Sequence, residues 1–131
     1  MNQNTMEQWL KGILAEHGAV SGTVHLLKEG EHEMSEAMTL PGGVQKGGTR
    51  VARGQGIAGL AWEQSKAITS SGFNESGAAK PSAGKSTVAL PVLNPSGVVH
   101  AIVDLSFPDN RTFSEDDLKK LTASVMGMPA Q

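Results

Sequence analysis

The side chains with chemistry to offer are few. The 131 residues hold four histidines (His17, His25, His32 and His100), and cysteine is absent. Without thiols the chain has no disulfides, no thiolate nucleophile, no thiolate zinc site and no iron–sulfur cluster. No two histidines stand at a ligand spacing such as H-x-x-x-H, so metal or haem ligation through His100 is disfavoured. No serine lies in G-x-S-x-G, and no His–Asp partner can be assigned to one, which leaves covalent catalysis without an argument. Asp104 is the residue to explain. It interrupts an apolar run, VVHAIVDLSF, where an unpaired charge is costly. On a strand, alternation puts His100, Ile102 and Asp104 on one face, and His25 with Thr23 and Leu27 on one face of another. If the two strands are neighbours, His25, His100 and Asp104 converge on one patch. Asp104 then either faces a pocket or has a structural role, capping a loop amide or pairing with Arg53.

Two glycine motifs imitate nucleotide sites. Gly54-Gln55-Gly56-Ile57-Ala58-Gly59 fits G-x-G-x-x-G, but a dinucleotide site needs a buried parallel strand before it and an acidic residue about 20 positions on. The preceding TRVAR is short and charged, so a tight turn into a helix is the better reading. Residues 79–86, AKPSAGKS, approximate a phosphate loop, yet such a loop must open a helix, and TVALPV opens a strand.

The elements that position these residues are legible. Thr87–Leu93 and Val98–Ser106 are strands joined by the turn Asn94-Pro95-Ser96-Gly97. Ser114 with Asp117 makes a capping-box-like start, and Phe113 with Leu118 a hydrophobic staple, for a last helix carrying Leu121 and Val125. The first helix is predicted over 5–16, with Thr5 and Gln8 as its box and Met6, Trp9, Leu10, Ile13 and Leu14 as its stripe. Strands are predicted over 20–28, 32–40 and 66–70, and a short helix over 56–64. The stretches 41–48 and 71–85 are loops, the second long enough to be reserved for ligand contact. The order helix, strand, strand, helix, strand, strand, strand, helix calls for an α+β fold. Its central antiparallel sheet carries the terminal helices on one face, with loops and the short helix over the other.

Composition bounds the function. At this length one domain is expected over 1–131, with an N-terminal helix over 1–18, sheet and pocket loops over 19–113, and a C-terminal helix over 114–127. A net charge of −2 makes no case for nucleic acid or an anionic membrane as partner. No run nears the ~20 apolar residues of a membrane span. The N-terminus, MNQN, lacks the basic start and apolar core of a signal peptide. A cytoplasmic protein is the expectation.

Residues 51–125 resemble a GAF domain, the sensory fold of many signalling proteins. RGQGIAGLAWEQSKAI is similar to that family's glycine turn, short helix and strand. KSTVALPVLNPSGVVHAIVDLSFPDNRTFSEDDLKKL is similar to its Ser-x-x-x-x-Pro strand, hairpin, penultimate strand and capped last helix. The resemblance implies a profilin-like sheet with a ligand pocket over one face. AIVDLSFP resembles the strand that supplies acidic ligand-binding residues in the free methionine sulfoxide reductases; Asp104 matches the first, and Ser106 stands where the second would be. Those enzymes work through cysteines, one of them where this chain has Ala58, so that activity is not expected, nor is a thioether-linked bilin. The cyclic-nucleotide signature of GAF domains is absent too.

The resulting expectation is a non-enzymatic sensory or regulatory domain with a small-molecule pocket lined by Ala58, Trp62, Ser70, Phe73, His100, Ile102 and Asp104. In it Asp104 accepts from a ligand amine or hydroxyl, His100 tunes polarity, and Trp62 or Phe73 offers stacking area. The signal passes to a partner protein or through a homodimer, since no output domain is present. Two alternatives are a ligand-free interaction module using the amphipathic first helix, and a catalytically dead relative of the reductases that binds a free amino acid.

Overall fold

In the computed structural model the described residues are 3–42, 50–70, 86–108 and 112–129. They build one six-stranded antiparallel sheet in the order β3-β2-β1-β6-β5-β4. In chain order the elements are α1 (Gln3–His17), β1 (Ser21–Leu26), β2 (Glu33–Leu40), β3 (Arg50–Ala52), α2 (Gly56–Gln64), β4 (Ile68–Thr69), β5 (Ser86–Leu93), β6 (Val99–Phe107) and α3 (Glu115–Val125).

The central hairpin forms as its sequence dictates. The Asn94 side chain accepts hydrogen bonds from the backbone N–H groups of Ser96 (2.9 Å) and Val98 (3.0 Å). Gly97 takes the left-handed φ of 83° that closes the turn. Helix α3 starts at a complete capping box: the Asp117 N–H donates to Ser114 Oγ at 3.1 Å, and the Ser114 N–H donates to Asp117 Oδ2 at 3.0 Å. Helix α1 begins at Gln3, earlier than its expected box, so Thr5 lies inside the first turn.

β3 has no counterpart in the sequence reading. Three residues, Arg50-Val51-Ala52, pair antiparallel with Ser35, Met34 and Glu33 of β2. A run this short, with a charge at its head, has no detectable period; only the pairing with β2 and the burial of Val51 against α2 define it as a strand.

Strand alternation divides the core in two. Val24, Met38, Val88, Leu90, Val92, Ala101, Val103, Leu105 and Phe107 face Met6, Leu10 and Ile13 of α1 and Leu121 and Val125 of α3. On the other face Met34, Val51, Ala89, Val99 and Ile102 meet Ile57, Ala61 and Trp62 of α2. The terminal helices thus share one face and the short helix takes the other, as the sequence led one to expect. The glycine loop around 43–48 and the long loop 71–85, with Phe73 in it, lie outside the described residues.

Candidate functional site

The glycine turn delivers α2 to the sheet. Gly54 and Gly56 have φ of 86° and 69°, values that favour glycine. At Gly59 a Cβ would stand 2.3 Å from the carbonyl oxygen of Ala52. The Gly54 N–H donates to the Gly59 carbonyl at 2.8 Å, closing the turn over that contact. The motif therefore serves close packing of helix on strand. The strand before it is a short antiparallel edge, which rules out the dinucleotide geometry. The residues after the phosphate-loop imitation form β5 and not a helix, while 79–85 lie outside the described residues.

On the α2 face, beyond the apolar patch under that helix, the sheet becomes polar. β1 pairs with β6, so Thr23 stands opposite Asp104 and His25 opposite Ile102. This puts His25 Nδ1 3.9 Å from Asp104 Oδ2, with 5% of the His25 side chain and 24% of the Asp104 side chain exposed. That separation is too long for a hydrogen bond. Asp104 Oδ1 is buried and has no hydrogen-bond partner among the described residues. Burial pushes the Asp104 carboxyl up to about 7, so near neutrality it is poised between acid and carboxylate. Burial lowers the pKa of His25, while the negative charge of Glu36 pulls it back up. Burial also lowers that of His100.

Neighbouring strands extend the polar patch. Thr39 on β2 donates its hydroxyl proton to the Glu36 carboxylate, and its oxygen lies 3.3 Å from the Thr23 hydroxyl. On the opposite side Thr87 Oγ1 and Ser106 Oγ share a hydrogen bond of 3.3 Å. Ser70 Oγ accepts from the Thr87 N–H at 3.1 Å. Among the described residues no three acidic or imidazole side chains gather as a metal ion would require.

The expected site residues fall into two groups. Ile102 is fully buried, Trp62 is 8% exposed, and both belong to the apolar layer beneath α2. Ala58 packs against that layer. Ser70 and Asp104 border the polar patch. His100 sits at a β-bulge near the hairpin end of β6, where the register steps between Val92 and Leu93. It stands four positions before Asp104, about 13 Å along a strand, so one small group cannot touch both. Phe73 lies outside the described residues. Asp104 meets His25 in place of Arg53, which is exposed in the turn before α2. Glu36 went unnoticed in the sequence; its place opposite His25 depends on a β-bulge in β2 that alternation does not reveal. A separate cleft of about 140 Å³ opens between the terminal helices, lined by His17, Phe107, Phe113, Asp117 and Leu121.

A central antiparallel sheet with terminal helices on one face, and a glycine turn and short helix on the other, is the GAF-domain architecture. Comparison with known structures agrees. Free methionine-R-sulfoxide reductase from Neisseria meningitidis, in complex with its substrate, superposes with a TM-score of 0.70 at 16% identity, over 94% of this chain and 74% of that one. The GAF domain of an Acinetobacter phosphoenolpyruvate-protein phosphotransferase gives 0.65 at 14% identity, over 98% and 94%. The GAF domain of a two-component sensor histidine kinase from Bacillus halodurans gives 0.65 at 14%, over 92% and 90%. No family model matches the chain, and no curated protein matches it. The chain has the GAF fold; likeness at this identity speaks for the fold alone. No helix among the described residues is long and apolar enough to cross a membrane.

Proposed function

We propose that the chain is a single non-enzymatic GAF-type domain that binds a small molecule on its α2 face and regulates a partner. The observation that carries this reading is Asp104 Oδ1, a buried carboxylate oxygen without a partner among the described residues, set in a strand that is otherwise apolar. Such an atom is costly to leave unsatisfied, and a ligand donor would remove the cost. The side chain as a whole is partly exposed, so a ligand can approach the residue, and Oδ1 must turn outward to meet its donor. Thr23, His25 and Ser106 flank it as orienting groups, while Trp62 and Ile102 form the apolar floor.

Fold neighbours from a phosphotransferase and a sensor kinase support a regulatory role, exercised through a dimer or a signalling protein in the cytoplasm. The absence of cysteine argues against thiol-based reduction by this chain. Native mass spectrometry of the purified protein, followed by a metabolite thermal-shift screen, tests the proposal. Binding that is present in the wild type and lost in Asp104→Ala supports it. An apo mass with no shift from any metabolite favours a ligand-free interaction module.

A further inference from the structure

We infer that the chain carries a second small-molecule site on the helical face of the sheet, in the cleft between α1 and α3, and that its ligand is a single uncharged aromatic ring bearing a hydroxyl or N–H donor. This goes beyond the reading of the α2 face, uses none of the residues of that face, and stands or falls separately from it.

Three elements meet at the cleft. β6 finishes at Phe107 and α1 at His17, while α3 presents Asp117 and Leu121 one turn apart, with Phe113 just ahead of its cap. Phe107 and Leu121, 1% and 4% exposed, form the floor. Half-buried Phe113 forms a wall, and exposed Asp117 with half-buried His17 borders the mouth. The His17 Nε2 and Ser124 Oγ atoms share a hydrogen bond of 2.9 Å, which ties the end of α1 to α3 beside the cleft. The walls are thus held in place before any ligand arrives, which lowers the ordering cost of binding.

Size and lining define the occupant. The space is about 140 Å³. A cavity of about 150 Å³ lined by Leu, Ile and Phe takes up one benzene, so this cleft accommodates one ring. The Phe107 and Phe113 rings stand 5.3 Å apart at 58°, the tilted arrangement in which the edge of one aromatic ring meets the face of another. A third ring laid against them extends that packing and covers the apolar floor. At the mouth Asp117 Oδ2 accepts the Ser114 N–H at 3.0 Å. A carboxylate has lone pairs for several donors, so it can accept a ring hydroxyl or N–H without giving up the helix cap. An anionic ring would instead bring like charge against Asp117.

The test is an NMR titration of the full chain with phenol, aniline and benzyl alcohol. Three controls each lack one feature: toluene has no donor, cyclohexanol no aromatic ring, and benzoate carries a negative charge. The expected result is that at least one of the first three binds, shifting Phe107, Phe113 and Leu121 and leaving Trp62 on the opposite face unmoved. It should bind at least about tenfold tighter than benzoate, and tighter than toluene or cyclohexanol. Phe113→Leu, with its circular dichroism and melting retained, should weaken that binding by about fivefold or more. The shift map of the wild type decides the matter even if the variant fails to fold. No binding by any of the three, shifts centred on Trp62, or a control that binds equally well overturns the inference. So do Phe113 signals that move with protein concentration when no ring is present, which would put a second copy in the cleft. A failure here leaves the α2-face reading standing, because that reading is decided by Asp104.

Discussion

His25 Nδ1 and Asp104 Oδ2 lie 3.9 Å apart across the β1–β6 ladder, the two residues on a diagonal and not directly opposite. Diagonal neighbours on one sheet face sit within reach of longer side chains, and here they bring together two groups whose protonation responds to burial in opposite senses. Burial favours the neutral imidazole and the neutral carboxylic acid alike. Burial thus disfavours the charged form of both groups, which an otherwise apolar strand tolerates.

That relationship fixes a pH dependence. The Asp104 pKa is raised from 3.8 to about 7 in the folded chain. Between those values the folded state keeps a proton that the unfolded state has released, so stability falls as pH rises through this window and levels off above it. His25 and His100, with lowered pKa values, act the other way: the unfolded chain binds their protons first, and stability falls as pH drops below about 6.5. Asp104→Asn removes the first contribution and keeps the second. Its stability relative to the wild type should climb from pH 4.5 to 7 by on the order of 1–3 kcal/mol and then stay flat. Urea unfolding at several pH values checks this; a pH-independent difference would show that Asp104 is not buried as described.

The hairpin, the capping box of α3, the face assignment of Ala101, Val103 and Leu105, and the span of α2 were readable because each rests on a local rule: turn chemistry, capping or a period of two or 3.6. β3 was not, since three residues carry no period. Glu36 was not, since its face is decided by one extra residue in β2 that leaves no mark in the hydrophobic pattern. The proximity of His25 to Asp104 was foreseen only as conditional on strand order, because neighbourhood between distant strands is a property of topology and not of either segment. His100 illustrates the converse: it sits in the apolar alternation on paper, yet the bulge at its position and its distance along β6 separate it from Asp104.

The α3 cap should be worth a measurable amount. Ser114 Oγ accepts the Asp117 N–H, and alanine there would leave that donor to solvent. Ser114→Ala is expected to cost about 1 kcal/mol in denaturant unfolding, with the slope of the transition unchanged. A null effect would mean that the box is not formed in solution.

Leu10 anchors α1 and is fully buried in the cluster that also contains Leu121 and Val125 of α3. Its truncation to alanine opens a void between helix and sheet and should cost about 2–5 kcal/mol. A loss well under 1 kcal/mol, read from the same unfolding curves, would show that α1 is not docked on the sheet.

Two glycines should answer the same substitution with opposite signs. Gly12 lies on the exposed side of α1, and a Cβ there meets nothing within 4 Å. Alanine reduces the backbone freedom of the unfolded chain and favours the helix, so Gly12→Ala should stabilise by about 0.5–1 kcal/mol. At Gly59 the added carbon would stand 2.3 Å from the Ala52 carbonyl oxygen and 3.1 Å from the Gly54 nitrogen. Both obstacles are backbone, and neither can rotate away. To admit the methyl group, α2 must lift from β3, loosening the Gly54–Gly59 turn and the packing of Val51 and Ile57 together. Gly59→Ala should therefore destabilise by about 2 kcal/mol or more. It should also weaken any ligand bound on the α2 face, whereas Gly12→Ala should leave binding untouched. If the two variants unfold at the same denaturant concentration, the close approach of α2 to β3 is wrong, and with it the placement of the glycine turn beside the proposed site.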